Sequence, residues 1–155
     1  MQLSIYAVGR RMPAWVQQGV DEYARRLPKS WRFCCKEFAQ AGLSNDSANT
    51  GREREANALL GAIPDRAYVI ALDNRGDSRT TEQTAVRMQR WQELGKNVVL
   101  LIGGPDGLHE RCRQRSDECW SLSPLTFPHP LVRVIVVEQL YRAHSLLLNH
   151  PYHRA

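Results

Sequence analysis

One stretch constrains this chain more than any other. From Leu131 to Leu148 runs a long apolar segment interrupted by only a few polar residues, and it follows a loop, Ser121–Pro130, that carries Pro124, Pro128 and Pro130. Backbone so rich in proline is stiff and short of N–H donors. Pro130 stands where a first-turn proline belongs, so the pattern predicts a helix starting near Leu131. Glu138 and Arg142 lie four apart, in the order that favours a helical ion pair. The β-branched run Val132–Val137 also fits a strand, but the apolar character persists well beyond strand length and favours the helix. Such a helix is apolar on most sides, not along one stripe. It needs cover from its own domain and from a second copy, which predicts a homodimer.

Upstream, strand and helix patterns alternate. Gln2–Val8 reads as a strand. A helix from Pro13 places Trp15, Val16, Val20, Tyr23, Ala24 and Leu27 at helical spacing, and Pro28 stops it. Trp31–Phe38 is a second strand, Ala39–Thr50 a turn-rich, mobile surface loop, and Gly51–Gly61 a polar helix. Ala67–Asp73 reads as a strand with Asp73 at its carboxyl end, Asn74–Thr80 as a loop, and Thr81–Leu94 as a helix with Ala85, Met88 and Trp91 on one face. Asn97–Ile102 is a continuous apolar run, Leu108–Ser116 a short basic helix, and Glu118–Leu122 the last strand. Central strands without alternation are buried on both faces, so the fold class is α/β: a mostly parallel sheet flanked by helices. At 155 residues, without repeat or linker, residues 1–155 are read as one domain.

Composition narrows the function classes. Gln2–Val8 is too short for a secretory leader, and Arg10 and Arg11 follow it instead of preceding it. Arg133, Glu138, Gln139 and Arg142 interrupt the best membrane-span candidate, so the expectation is a cytoplasmic protein without membrane attachment. The cysteines (the vicinal pair Cys34–Cys35, then Cys112 and Cys119) form no C-x-x-C motif, which favours reduced, partly buried thiols over zinc or disulfides. Four of the five histidines (His129, His144, His150 and His153) fall late in the chain, but no cysteine or carboxylate stands near the tail pair, and no metal site is expected. The net charge of +5 and pI near 9.3 are compatible with a polyanionic partner without specifying one.

Ligands of open α/β sheets bind at the carboxyl ends of the strands. Loops at such ends are Asp73–Gly76, Gly103–Gly107 and Ser121–Pro130. Gly103-Gly104-Pro105-Asp106-Gly107 has neither the glycine spacing of a dinucleotide fingerprint nor the Gly-Lys-Ser/Thr ending of a phosphate loop. It is either a tight strand-to-helix turn or a place where a flat ring approaches the backbone. The tail Asn149–Arg154 offers the residue types that stack on bases and hold phosphates, or else a solvated terminus.

Three segments together, LLIGGPDGL (Leu100–Leu108), SLSPLTFPHPLVRVIVVEQLYRA (Ser121–Ala143) and NHPYHR (Asn149–Arg154), closely resemble the RlmH family. Those are SPOUT-class methyltransferases that methylate N3 of a pseudouridine in large-subunit (23S) ribosomal RNA. The likeness extends to AVGRRMPAWVQQGVDEYARRLP near the start and covers nearly the whole chain. It implies a SPOUT-type α/β fold with a deep trefoil knot near the carboxyl end, an exception to the rule that chains do not knot. It also implies an obligate homodimer, S-adenosylmethionine as cofactor and the assembled ribosome as substrate. Carried over by position, the cofactor would touch Leu72, Asp73, Gly103, Gly104 and the loop Ser123, Pro124, Leu125, Thr126, Phe127 and Pro128. Pro124 and Phe127 stand where the family commonly has small or aliphatic residues.

The chemistry implied is in-line displacement at a sulfonium carbon, where positioning supplies much of the rate. The acceptor imide must lose a proton, which needs a base or a group that stabilises the anion. His129 is the first candidate by location and Glu138 the second, with Arg142 to stabilise negative charge or hold a phosphate. Tyr152, His153 and Arg154 read as substrate contacts that reach into the other subunit's site. The competing classes are a ribosome-binding protein without catalysis and a nucleotide-binding redox enzyme. The second conflicts with the missing dinucleotide fingerprint.

Overall fold

The computed structural model describes residues 1–41 and 48–154. Its centre is a five-stranded sheet with every pairing parallel: β1 (Leu3–Val8), β2 (Cys34–Phe38), β3 (Tyr68–Ser78), β4 (Val98–Ile102) and β5 (Glu118–Ser121), in the order β2-β1-β4-β3-β5. The apolar runs LSIYAV and VVLLI are fully buried because each is flanked by strands in the plane and by helices on both faces. One face carries the core of Leu3, Ile5, Met88, Trp91, Leu100 and Leu140, and the other that of Val8, Leu59, Val69, Val99 and Leu101.

The helices are α1 (Ala14–Ala24), α2 (Ala48–Ala62), α3 (Thr81–Leu94), α4 (Glu110–Arg115) and α5 (His129–Leu147). α3 matches its expected bounds because a capping box fixes its start: Gln83 N–H donates to Thr80 Oγ1 at 3.1 Å, and Thr80 N–H to Gln83 Oε1 at 2.9 Å. Gly95, at φ 61°, closes it.

α5 is the helix its apolar run predicts, and it begins at His129 instead of Leu131 because Pro128 caps it and Pro130 sits inside its first turn. It packs on α1 so closely that a Cβ on Gly19 would lie 3.1 Å from Val134 Cγ1. Val136, Val137, Leu140 and Ala143 face the sheet. The imidazole of His144 stands edge-on to Trp31 with ring centroids 4.8 Å apart. Trp31 precedes β2, whereas the first residue of α5 lies at the carboxyl ends of the strands. The helix therefore runs antiparallel to the sheet.

Several local expectations change. Trp31 belongs to a single 3-10 turn (Lys29–Trp31), and the strand starts only at Cys34. Asn74–Ser78, expected as loop, is strand: β3 continues past a register shift in which both Leu72 and Asp77 face Trp120. Trp15 is 56% exposed and stands outside the core. Within Ala39–Thr50 the helix α2 already begins at Ala48, while residues 42–47 lie outside the described residues. No helix among the described residues is long and apolar enough to cross a membrane.

Candidate active site

A cavity of about 370 Å³ opens at the carboxyl ends of β3, β4 and β5. The expected loops converge there. Leu72 and Asp73 come from β3, Gly103 and Gly104 from the turn after β4, and Ser123, Leu125, Thr126 and Phe127 from the proline loop, with His129 at the start of α5. Pro124 and Pro128 flank this wall without lining it. The loop is held by its own hydroxyls: Ser121 Oγ donates to the Ser123 carbonyl at 3.2 Å, and Leu125 N–H to Ser123 Oγ at 3.0 Å.

The glycine turn has a different reason for its glycines than room for a ligand. A Cβ on Gly103 would lie 2.6 Å from the carbonyl carbon of Gly107, so the backbone closes on itself there. Gly107, at φ 78°, returns an N–H to the Gly104 carbonyl at 2.9 Å. A Cβ on Gly104 would meet Val8 Cγ1 at 3.0 Å and Glu55 Oε1 at 3.5 Å. Both glycines are demanded first by protein packing, and the turn then offers the cavity a rigid backbone edge.

Asp73 does not present a free carboxylate. It accepts from Arg75 N–H at 2.9 Å, from Arg75 Nε at 3.1 Å and from Arg113 Nη1 at 3.0 Å, and so ties the β3 bulge to α4. His129 is half-buried beside Gly9, and its Nδ1 has no partner among the described residues. Burial, and then the neighbouring Arg133 guanidinium, push its pKa below the usual imidazole range. His129 is therefore neutral at physiological pH, the form in which it can accept a proton.

The remaining candidates lie elsewhere. Glu138 and Arg142 pair on α5, with Arg142 Nε donating to Glu138 Oε1 at 2.8 Å. The Tyr152 phenol donates to the same oxygen at 3.1 Å, and the Arg142 guanidinium lies 5.0 Å from the Tyr152 ring centre. The tail is thus docked: Tyr152 also packs on Tyr141 with ring centroids 4.5 Å apart, and Arg26 of the α1 connection sits over both rings. Burial and Glu138 push the Tyr152 phenol up to about 12, so it remains a neutral donor. His153 is half-buried and Arg154 exposed. At 1.5 Å rise per residue, Glu138 stands roughly 13 Å and Arg142 roughly 20 Å along α5 from His129. The structure thus brings Glu138, Arg142 and Tyr152 together, but not with His129 or the cavity.

Two charged residues to which the sequence assigned no role are buried near the site. Arg133, 2% exposed in the middle of the apolar run, pairs with Glu37 at 2.5 Å and donates to the Val8 and Gly9 carbonyls at 3.2 and 2.7 Å. Glu55 lies buried behind Gly104, with Oε2 unpartnered among the described residues, and burial raises its pKa. The buried arginine alone in apolar sequence was the available signal, because such a charge needs a partner. Among the described residues no group of three or more His, Cys, Asp or Glu could hold a metal. Burial pushes the Cys35 and Cys112 thiols up to about 11, which suits inert reduced cysteines.

The family model described as "Predicted SPOUT methyltransferase" matches residues 1–153. The chain belongs to the SPOUT methyltransferase family. Among its relatives is a protein of Teredinibacter turnerae named "Ribosomal RNA large subunit methyltransferase H", 51% identical over 99% of this chain and 100% of that one. Proteins of the same name from Nitrosococcus oceani and Methylococcus capsulatus are 49% and 48% identical, over 100% and 99% of this chain and 99% and 100% of theirs. With family membership, the chain is a methyltransferase.

Proposed function

We propose that this chain methylates N3 of a pseudouridine in large-subunit (23S) ribosomal RNA on the assembled ribosome, as a cytoplasmic homodimer that uses S-adenosylmethionine. The observation that carries the reading is the end-to-end match to relatives bearing the name of a large-subunit ribosomal RNA methyltransferase. The cavity fits the cofactor: its volume lies in the range of small-molecule sites, and its walls combine apolar Leu72, Leu125 and Phe127 with the backbone of a rigid turn. When bound there, S-adenosylmethionine supplies an electrophilic methyl carbon. The trefoil knot belongs to this proposal too. Its support is that β5 pairs beyond β3 while α5 returns to pack on α1 and α3.

The chain's own residues divide the work. Neutral His129, at the cavity wall, accepts the imide proton of the target base. Pre-formed loops, held by Ser121, Ser123 and the Asp73–Arg113 pair, orient the reactants without ordering cost at the moment of reaction. Tyr152 and Arg142, arranged by Glu138, place a neutral donor and a cation where they can hold the base and the charge it acquires. Because that group stands so far along α5 from its own cavity, it serves the cavity of a second copy, together with His153 and Arg154. The partly exposed Ile135 and Gln139 on α5 and the exposed Trp15 on α1 are surface that the second copy would cover. Incubation with radiolabelled S-adenosylmethionine and large subunits from a strain lacking the modification tests the reading. One labelled pseudouridine is expected. Tight binding to the subunits without methyl transfer would establish the non-catalytic ribosome-binding alternative instead.

A further inference from the structure

The loop that leaves β1 has features the cavity does not explain. Gly9 is held in the left-handed region at φ 112°, and its N–H donates to the Phe38 carbonyl at 2.7 Å. Two residues on, Arg11 is left-handed as well, at φ 57°. Glycine adopts that conformation freely, but an arginine is strained in it, and such strain persists where a side chain must be held in one place. The backbone just before Arg10 and Arg11 is fixed by its surroundings. The buried Arg133 guanidinium fastens the Val8 and Gly9 carbonyls and is itself paired with Glu37. Met12 and His129 close on Gly9, leaving 3.1 and 3.2 Å to a hypothetical Cβ.

The result is a rigid mount for two adjacent cations. Arg10 and Arg11 are exposed, and neither makes an ion pair with any described residue. Gly9, the residue before them, lies against His129, which lines the cavity, while neither arginine lines the cavity itself. Any partner they hold lies outside the cavity, on the side where Gly9 meets His129. Three other non-glycine residues are left-handed (Arg32, Arg66 and Asn149), and they sit before β2, before β3 and after α5, not at the end of a strand.

We propose that Arg10 and Arg11 clamp the phosphate backbone of the RNA strand that carries the target base, fixing its register at the cavity mouth. This rests on the methyltransferase reading above and names how its substrate is held. Phosphate contacts position a strand without reading its sequence, and each lost contact weakens binding and flattens the salt dependence.

The test uses the full chain with Arg11→Gly, Arg10→Gln and the double variant, against large ribosomal subunits lacking the modification. KM is measured from about 50 to 200 mM salt, beside calorimetry of S-adenosylmethionine and thermal melts. For the double variant KM should rise roughly tenfold near 0.1 M salt, and the log–log salt slope should become shallower by about 1 to 2. Cofactor affinity should match wild type. Arg11→Gly should melt no lower than wild type, because glycine removes the strain. An unchanged KM and slope would overturn the clamp. So would a loss of cofactor affinity equal to the rise in KM, which would make the arginines part of the cofactor site. Failure of the wild-type protein to methylate the subunits would overturn the underlying reading, a result seen before any variant is compared.

Discussion

The two ends of α5 are built on opposite principles. Its amino end meets a cavity made largely of backbone: a glycine turn so tight that a Cβ on Gly103 would lie 2.6 Å from Gly107, a proline loop stapled by serine hydroxyls, and one neutral imidazole. Its carboxyl half carries a cluster made of side chains, Glu138, Arg142 and Tyr152, with the rings of Tyr23, Tyr141 and Tyr152 around Arg26. The first arrangement suits a ligand that must be gripped in one pose. The second suits a charged, aromatic partner approached from outside. A single helix holds both rigidly and also keeps them apart, so one copy of the chain cannot bring them to bear on the same atoms. That separation is the physical argument for a dimer in which each tail serves the other cavity.

Deleting Tyr152, His153 and Arg154 should sharpen the comparison most. Methyl transfer on ribosomes should fall by roughly two to three orders of magnitude, while calorimetric cofactor affinity stays near wild type. A truncated protein that transfers at the full single-turnover rate would return the tail to surface decoration.

Complementation tests the separation itself. A cavity-defective His129→Ala chain mixed and re-associated with the tail-deleted chain should recover activity in about a quarter of sites, because half the dimers then hold one intact pair. Recovery absent from a mixture shown to contain mixed dimers would mean that each tail serves its own chain.

Gly103→Val should break the cavity end without touching the tail. The side chain runs into the Gly107–Leu108 peptide, so a loss of roughly 2–4 kcal/mol in stability and of measurable cofactor binding is expected in denaturant titration and calorimetry. Gly104→Ala meets side chains and no backbone, Val8 Cγ1 at 3.0 Å and Glu55 Oε1 at 3.5 Å, and should cost less, about 1–2 kcal/mol.

The smallest effects are titrations. Burial lowers the pKa of both His129 and His144, so the unfolded chain binds these protons more readily. Their contribution is complete above the unfolded imidazole pKa and is lost as pH falls through the folded values. Melting temperature should decline below about pH 6.5, and His144→Asn should flatten that decline. Glu55 has the opposite sign. Its raised folded pKa means stability is present in acid and lost as pH rises through that value. Glu55→Gln should therefore raise the melting temperature at neutral pH, by about 2–4 °C per kcal/mol relieved, and do nothing in acid. A neutral-pH melt unchanged by that substitution would show that the carboxylate has a partner in solution.

Much of this architecture is written in local pattern. The burial of VVLLI on both faces, the capping box that starts α3 and the proline-initiated length of α5 follow from periodicity, caps and turn residues, which act over a few positions. The cavity loops were legible for the same reason, since glycine and proline restrict their own backbone wherever they stand. Other features were decided by tertiary packing. Trp15 keeps helical spacing yet points to solvent, because α5 covers α1 along a different stripe. Asn74–Ser78 is strand only because β5 lies alongside it. Arg133 looks like a flaw in an apolar helix until Glu37 and the Val8 and Gly9 carbonyls, far away in sequence, come within hydrogen-bond reach. The division of Glu138, Arg142 and Tyr152 from His129 was equally invisible. Sequence places Glu138 and Arg142 on one helix, with His129 at its start and Tyr152 in the tail beyond it, but only the antiparallel run of that helix against the sheet sets which end meets the cavity.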